Sequence, residues 1–287
     1  MKKNILPLVV LLSFVLIFFS VSDLKIITSA GKDIGFQDMI KKAVNSANIV
    51  FIGEKHNDPK AHFVEYEVLK ALYKETNGNL IFSLEMFERD TQDILNKYLE
   101  GKIDEKTFLK NSRPWPNYKT DYRPLIEFAK KKGIKVIASN VPRRYAAMVS
   151  HGDLKALDNL KKDERKYIAE KIYTEYPEYR KNFYKVLEMM TGRMKKHGAA
   201  KMKELFYKAQ CVKDSTMAES IFRIHKKYPT KFILHINGEF HSDYKLGTAA
   251  VLKTLCPKIK IINIRVFPKN DYKYSKKDKK IADYIIF

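Results

Sequence analysis

The sequence predicts an α/β fold: a mostly parallel, doubly wound sheet flanked by helices, with a helical insertion capping its C-terminal edge. Three observations carry that prediction. Two apolar, β-branched-rich runs, residues 47–56 (ANIVFIGEKH) and 231–241 (KFILHINGEFH), each break at a glycine and deliver a glutamate and a histidine. Similar apolar runs at 80–84, 135–139 and 258–266 recur between segments of helical spacing. Short apolar runs bounded by turn residues are strands buried on both faces, and strands separated by helices build a parallel sheet. Between residues 152 and 209 the alternation stops, and the text becomes helical and rich in Tyr and Met, with His197 among them.

The elements follow in order. Residues 24–28 form a short strand and 36–46 a helix, with Phe36, Met39, Ile40 and Val44 at helical spacing. After the strand at 49–52, Asp58 before Pro59 marks a helix start. That helix runs to about residue 75 with Phe63, Tyr66, Leu69 and Leu72 on one face. The strand at 80–84 releases Glu85, a carboxylate that needs a partner at the end of an apolar run. An N-cap, a salt bridge to Arg89 and a functional role are all open. Helices follow at 91–99 and 104–109, then a stiff Pro-rich loop holding Trp115, a helix at 122–132 and the strand at 135–139. Arg143 and Arg144 then stand at the ligand edge, as a carboxylate clamp or as a surface pair. The 152–209 insertion reads as a lid. In the next helix, 210–225, Gln210, Asp214, Met217, Ala218 and Ile221 share one face, where Asp214 again needs a partner. A helix at 242–255, the strand at 258–266 and an edge strand in 281–287 complete the chain.

A chain of 287 residues that is 45% hydrophobic supports one domain with a sizeable core. With 55 Lys+Arg against 33 Asp+Glu the net charge is +22, which favours anionic partners or simply a Lys-rich solvated surface. Cys211 and Cys256 show no metal-site spacing, and nothing in that spacing demands a bridge. Lys2 and Lys3, an apolar run at 5–19 and then Ser20-Val21-Ser22 have the layout of a secretory signal over residues 1–22, with an uncleaved anchor as the alternative. The expectation is a single domain over 23–287 working outside the cytoplasm, periplasmic or membrane-associated. Nucleic acid is then a poor partner, and no aromatic-basic recognition motif is present.

In open α/β sheets ligands sit beyond the carboxyl ends of the strands. Glu54, His56, Glu239 and His241 would meet there, with Glu85 beside them. Two chemistries suit such a set. His56, His241, Glu54 and Glu239 can hold a divalent metal, or one histidine can act as general base on water while a glutamate orients its other nitrogen. The bland reading makes both histidines structural. The Met and aromatic stripe of the insertion is plain core or a bed for an apolar, planar ligand.

The runs GEKHNDP, LEMFERDTQ, YRPLIEFAKKKG, VIASNVPR, AQCVKDSTMAES, NGEFHSDYKLG and IADYIIF together resemble the ChaN-like branch of a superfamily that includes the Tiki/TraB group and erythromycin-esterase-like hydrolases. The resemblance covers most of the chain beyond the leader and is weakest at 152–209. It implies an extracytoplasmic bacterial haem-binding protein of iron uptake, with the iron held by tyrosine and subunits pairing as a homodimer around the ligand. The implied partners are haem and a membrane surface or haem-uptake machinery. Members resemble one another in being lipoproteins, but here no cysteine follows the apolar run to accept a lipid. The insertion offers Tyr173, Tyr176, Tyr179, Tyr184 and His197 as the ligand region. In the wider superfamily the Glu and His of the paired motifs form a hydrolytic or metal-dependent site, which here implies Glu54, His56, Glu239 and His241, with Glu85 beside them, acting on an ester, lactone or amide.

Overall fold

A computed structural model describes residues 19–191, 199–268 and 274–287. The leader expected at 1–22 lies outside them up to residue 18, and so does His197. Among the described residues no helix is long and apolar enough to cross a membrane.

The chain runs β1 (Ile26–Thr28), α1 (Phe36–Ser46), β2 (Ile49–Glu54), α2 (Pro59–Glu75), β3 (Leu80–Glu88), α3 (Gln92–Leu99), α4 (Glu105–Ser112), α5 (Arg123–Lys132) and β4 (Lys135–Asn140). It continues through α6 (Arg143–Gly152), the short α7 (Lys162–Arg165), α8 (Pro177–Thr191), α9 (Ala199–Lys227), β5 (Phe232–Gly238), α10 (Gly247–Leu255), β6 (Ile261–Val266) and β7 (Tyr284–Ile286). The sheet order is β1-β7-β6-β2-β5-β3-β4. Every pairing is parallel except β1 with β7.

Strand periodicity sorts the side chains onto two faces. Val50, Ile52, Phe82, Leu84, Leu234 and Ile236 pack in one core with residues of α1, α2 and α5. Ile49, Phe51, Ile81 and Ile233 share another with Ala218 and Ile221 of α9 and Val251 and Leu252 of α10. Helices on both faces make the sheet interior on each side, which is why its strands read as continuous apolar runs. Local signals set the ends as expected. Asp58 caps α2 by accepting a hydrogen bond from the Lys60 amide, with Pro59 in the first turn.

Several details depart from the sequence reading. The fully buried face of α2 carries Ala61, His62, Val64, Glu65, Val68, Leu69 and Leu72, so Phe63 and Tyr66 sit at its margin. That shift brings a histidine and a glutamate inward. β3 runs on to Glu88 through a register shift after Leu84. β7 is an interior strand between β1 and β6, and β1 forms the edge. α9 is one helix of 29 residues that continues through position 209, where the insertion was expected to end. Cys211 and Cys256 are both free.

Candidate functional site at the carboxyl edge of the sheet

β2 and β5 are neighbours, with Gly53 opposite Asn237 and Glu54 opposite Gly238. β3 lies on the other side of β5. The three strands therefore release residues 54–56, 238–241 and Glu85 side by side.

His241 is buried between two carboxylates. Its Nδ1 lies 2.7 Å from Asp214 Oδ1 and its Nε2 lies 3.2 Å from Glu85 Oε1. Asp214, on α9, also accepts hydrogen bonds from Thr248 Oγ1 at 2.8 Å and from the Tyr179 hydroxyl at 2.6 Å. Burial alone would lower the His241 pKa, but the facing Glu85 and Asp214 carboxylates raise it to about 10. In that charged form the ring donates to a carboxylate on each side. Glu85 finds its partners here too: its Oε2 accepts the Gly238 amide at 2.7 Å. Arg89, expected as a partner of Glu85, reaches α9 instead, at Glu219, Ser220 and the Thr216 carbonyl.

His56 is built differently. Its Nδ1 lies 2.5 Å from Glu54 Oε1, an oxygen that also accepts the Tyr122 hydroxyl at 2.6 Å. Trp115 meets the imidazole edge-on at 4.9 Å. A Cβ on Gly238 would lie 2.6 Å from His56 Nε2 and 3.5 Å from Glu85 Oε2, so only glycine lets these groups crowd that point. The His56 side chain is 41% exposed, and its far nitrogen lies against Gly238. Burial would lower its pKa, yet the Glu54 hydrogen bond and the Glu85 charge leave it raised. A glutamate-oriented imidazole of this kind can accept a proton from water.

Glu239 does not join them. It opens a 3-10 turn, and its carboxylate pairs with Arg265 of β6. The four-residue metal set of His56, His241, Glu54 and Glu239 therefore does not assemble. Arg143 and Arg144 are committed to Glu88 and Asp90.

Among the insertion tyrosines, Tyr179 alone reaches the cluster. It stacks on Phe240 at 4.9 Å and donates to Asp214. Tyr173 packs against the α9–α10 face of the sheet, Tyr176 bonds to Thr254, and Tyr184 donates to Glu204. Next to Tyr179 a groove of about 250 Å³ opens between α8 and the 239–246 turn, lined by Lys185, Val186, Met189, Phe240 and Tyr244. Met189 is 76% exposed there and Tyr244 41%. The Tyr244 hydroxyl makes no hydrogen bond among the described residues.

The sequence reading missed His62, Glu65, Asp121 and Tyr122, which stand behind Glu54. Their available signal was a histidine and a glutamate three residues apart, on the helix that follows the first motif.

Comparison with known proteins matches this architecture. The family described as haem-binding uptake, Tiki superfamily, ChaN, matches residues 40–252. ChaN of Campylobacter jejuni, solved with haem bound cofacially, superposes with a TM-score of 0.70 at 19% identity, over 92% of this chain and 96% of that one, so the fold is shared. Protein RETICULATA-RELATED 5, chloroplastic, of Arabidopsis thaliana is 27% identical over 135 residues, 45% of this chain and only 18% of that protein. With well over half of its length matched, the chain belongs to the haem-binding uptake family of ChaN, in the Tiki superfamily.

Proposed function

We propose that this protein binds haem outside the cytoplasm, as cargo of iron uptake, in the groove between α8 and the 239–246 turn. The observation that carries the reading is the groove's lining. Large apolar side chains left in water mark a binding surface, and here exposed Met189 and Tyr244 share one groove with Lys185. These residues fit a porphyrin. Met189, Val186 and Phe240 offer it an apolar face, Lys185 a partner for a propionate, and Tyr244 a free phenol for the iron. The four tyrosines expected from the sequence are less suited, because Tyr176, Tyr179 and Tyr184 already spend their hydroxyls and Tyr173 lies on another face.

At about 250 Å³ the groove is smaller than the roughly 300–1,000 Å³ of enclosed ligand sites. It covers one porphyrin face, and a second copy of the chain would cover the other, which supports the homodimer reading. Titration of the purified protein with haemin tests this. We expect a shifted Soret band that Tyr244→Phe alters and Tyr184→Phe leaves alone. A haem spectrum identical to that of free haem sinks the reading. An unchanged Tyr244→Phe spectrum removes the ligand assignment.

A hydrolytic reading rests on one observation, the Glu54–His56 dyad on a partly exposed imidazole. Ester turnover that disappears in His56→Ala would support it, and turnover surviving that substitution would exclude it.

A further inference from the structure

Behind the His56 dyad lies a constellation that haem binding does not use. Glu54 on β2 and His62 and Glu65 on α2 each bring one potential ligand atom within 4.8 Å of the others, and all three residues are buried. His62 Nδ1 stands 3.4 Å from Glu54 Oε2 and 3.0 Å from Glu65 Oε2. Among the described residues Glu54 Oε2 and Glu65 Oε1 have no hydrogen-bond donor, although both side chains are 0% exposed. Several lone pairs thus converge on one buried point. Buried carboxylates of this kind must share either a proton or a cation.

Two features favour the cation. His62 Nε2 lies 3.0 Å from Asp121 Oδ2. No hydrogen bond joins that pair among the described residues, but the carboxylate's charge favours the proton on the far nitrogen, which leaves the near one to ligate. The surroundings are also strongly anionic: carboxylate oxygens of Glu54, Glu65 and Asp121 all stand within 3.4 Å of the His62 ring nitrogens. One imidazole nitrogen and two carboxylates suit Zn²⁺, Mn²⁺ or Fe²⁺.

We propose that Glu54, His62 and Glu65 form a binding site for one divalent transition-metal ion, with Asp121 orienting the imidazole. Glu54 then serves two sites, since its Oε2 faces the ion while its Oε1 holds His56 and Tyr122. The ion would fix the wall of the cleft from behind.

The test uses the full chain, free of haem and stripped with chelator, titrated separately with Zn²⁺ and Mn²⁺. The readouts are bound metal after desalting and the melting temperature. We expect about one ion per chain and a higher Tm. Glu65→Gln, which keeps the shape, should weaken binding at least about a hundredfold, and Asp121→Asn by about 10–100-fold. His241→Ala should keep the stoichiometry, because it lies in the other cluster. Wild-type protein that takes up neither metal overturns the proposal and leaves the buried proton as the explanation. Wild-type uptake by folded Glu65→Gln also overturns it, as does uptake lost only in His241→Ala. If Glu65→Gln does not fold, Asp121→Asn decides, with undiminished affinity counting against the site.

Discussion

Replacing Asp214 by alanine tests how the cap is fastened to the sheet. This carboxylate is 1% exposed and joins α9 to α8 through Tyr179, to α10 through Thr248 and to the end of β5 through His241. Hydrogen bonds to a charged group contribute about 1.5–3 kcal/mol each, and breaking a buried ion pair by removing one partner costs about 3–5 kcal/mol. These terms overlap, so the expected total loss is about 3–5 kcal/mol, a large share of the roughly 5–15 kcal/mol of a typical domain. The loss also depends on pH in a fixed direction. His241 has its pKa raised in the folded state, so its contribution is complete below 6.5 and is lost as pH rises through about 10. That gap corresponds to about 5 kcal/mol at about 1.36 kcal/mol per pH unit, shared between Glu85 and Asp214. Glu85 carries the opposite signature. Its carboxyl is held low, despite burial, chiefly by His241, and its contribution fades as pH falls below about 4.5. Urea unfolding of wild type and Asp214→Ala at pH 6 to 10 measures this. The gap between them should be largest at pH 6–7 and narrow toward pH 10. A gap under about 1 kcal/mol at pH 7, or one constant across the range, would refute the imidazolium bridge.

Other substitutions probe the same edge. Gly238→Ala puts a methyl 2.6 Å from His56 Nε2 and should destabilise by about 1–3 kcal/mol, read by denaturant midpoint; a neutral effect would mean that the imidazole moves freely. Arg89→Ala removes the links to Glu219, Ser220 and the Thr216 carbonyl but leaves Glu219 its ion pair with Arg223, so a loss of about 1.5–3 kcal/mol is expected from the same assay. In the haem titration, Lys185→Glu should weaken binding by reversing a charge beside the groove, and equal affinity would place the propionates elsewhere.

Much of the fold was legible because burial leaves a periodic trace. Runs such as 49–52 and 231–236 can be nothing but two-faced strands, and Asp58-Pro59 fixes a helix start by local hydrogen bonding alone. The misses came where tertiary contact overrides local text. A 3.6-residue period tolerates a small rotation, and that rotation decided whether α2 buries Phe63 and Tyr66 or His62 and Glu65. The terminal strand β7 looked like an edge because nothing in its seven residues reports that β1 pairs outside it. At the site, the shared spacing of the two glycine motifs suggested like roles for Glu54 and Glu239. The turn after Gly238 instead sends Glu239 to Arg265 while Glu54 stays at the end of β2.

By itself the sequence determined the parallel α/β sheet, the two strand ends that meet, and the demand that Asp214 and Glu85 find partners, because each follows from burying apolar runs and from the penalty of lone buried charge. Only the tertiary structure decided that one imidazole would be locked between two carboxylates and the other left partly exposed beside one. It also turned the acids and imidazole behind Glu54 toward one point. Protonation and ligation depend on which groups stand within about 3–4 Å, and that distance is set by the packing of elements far apart in the chain.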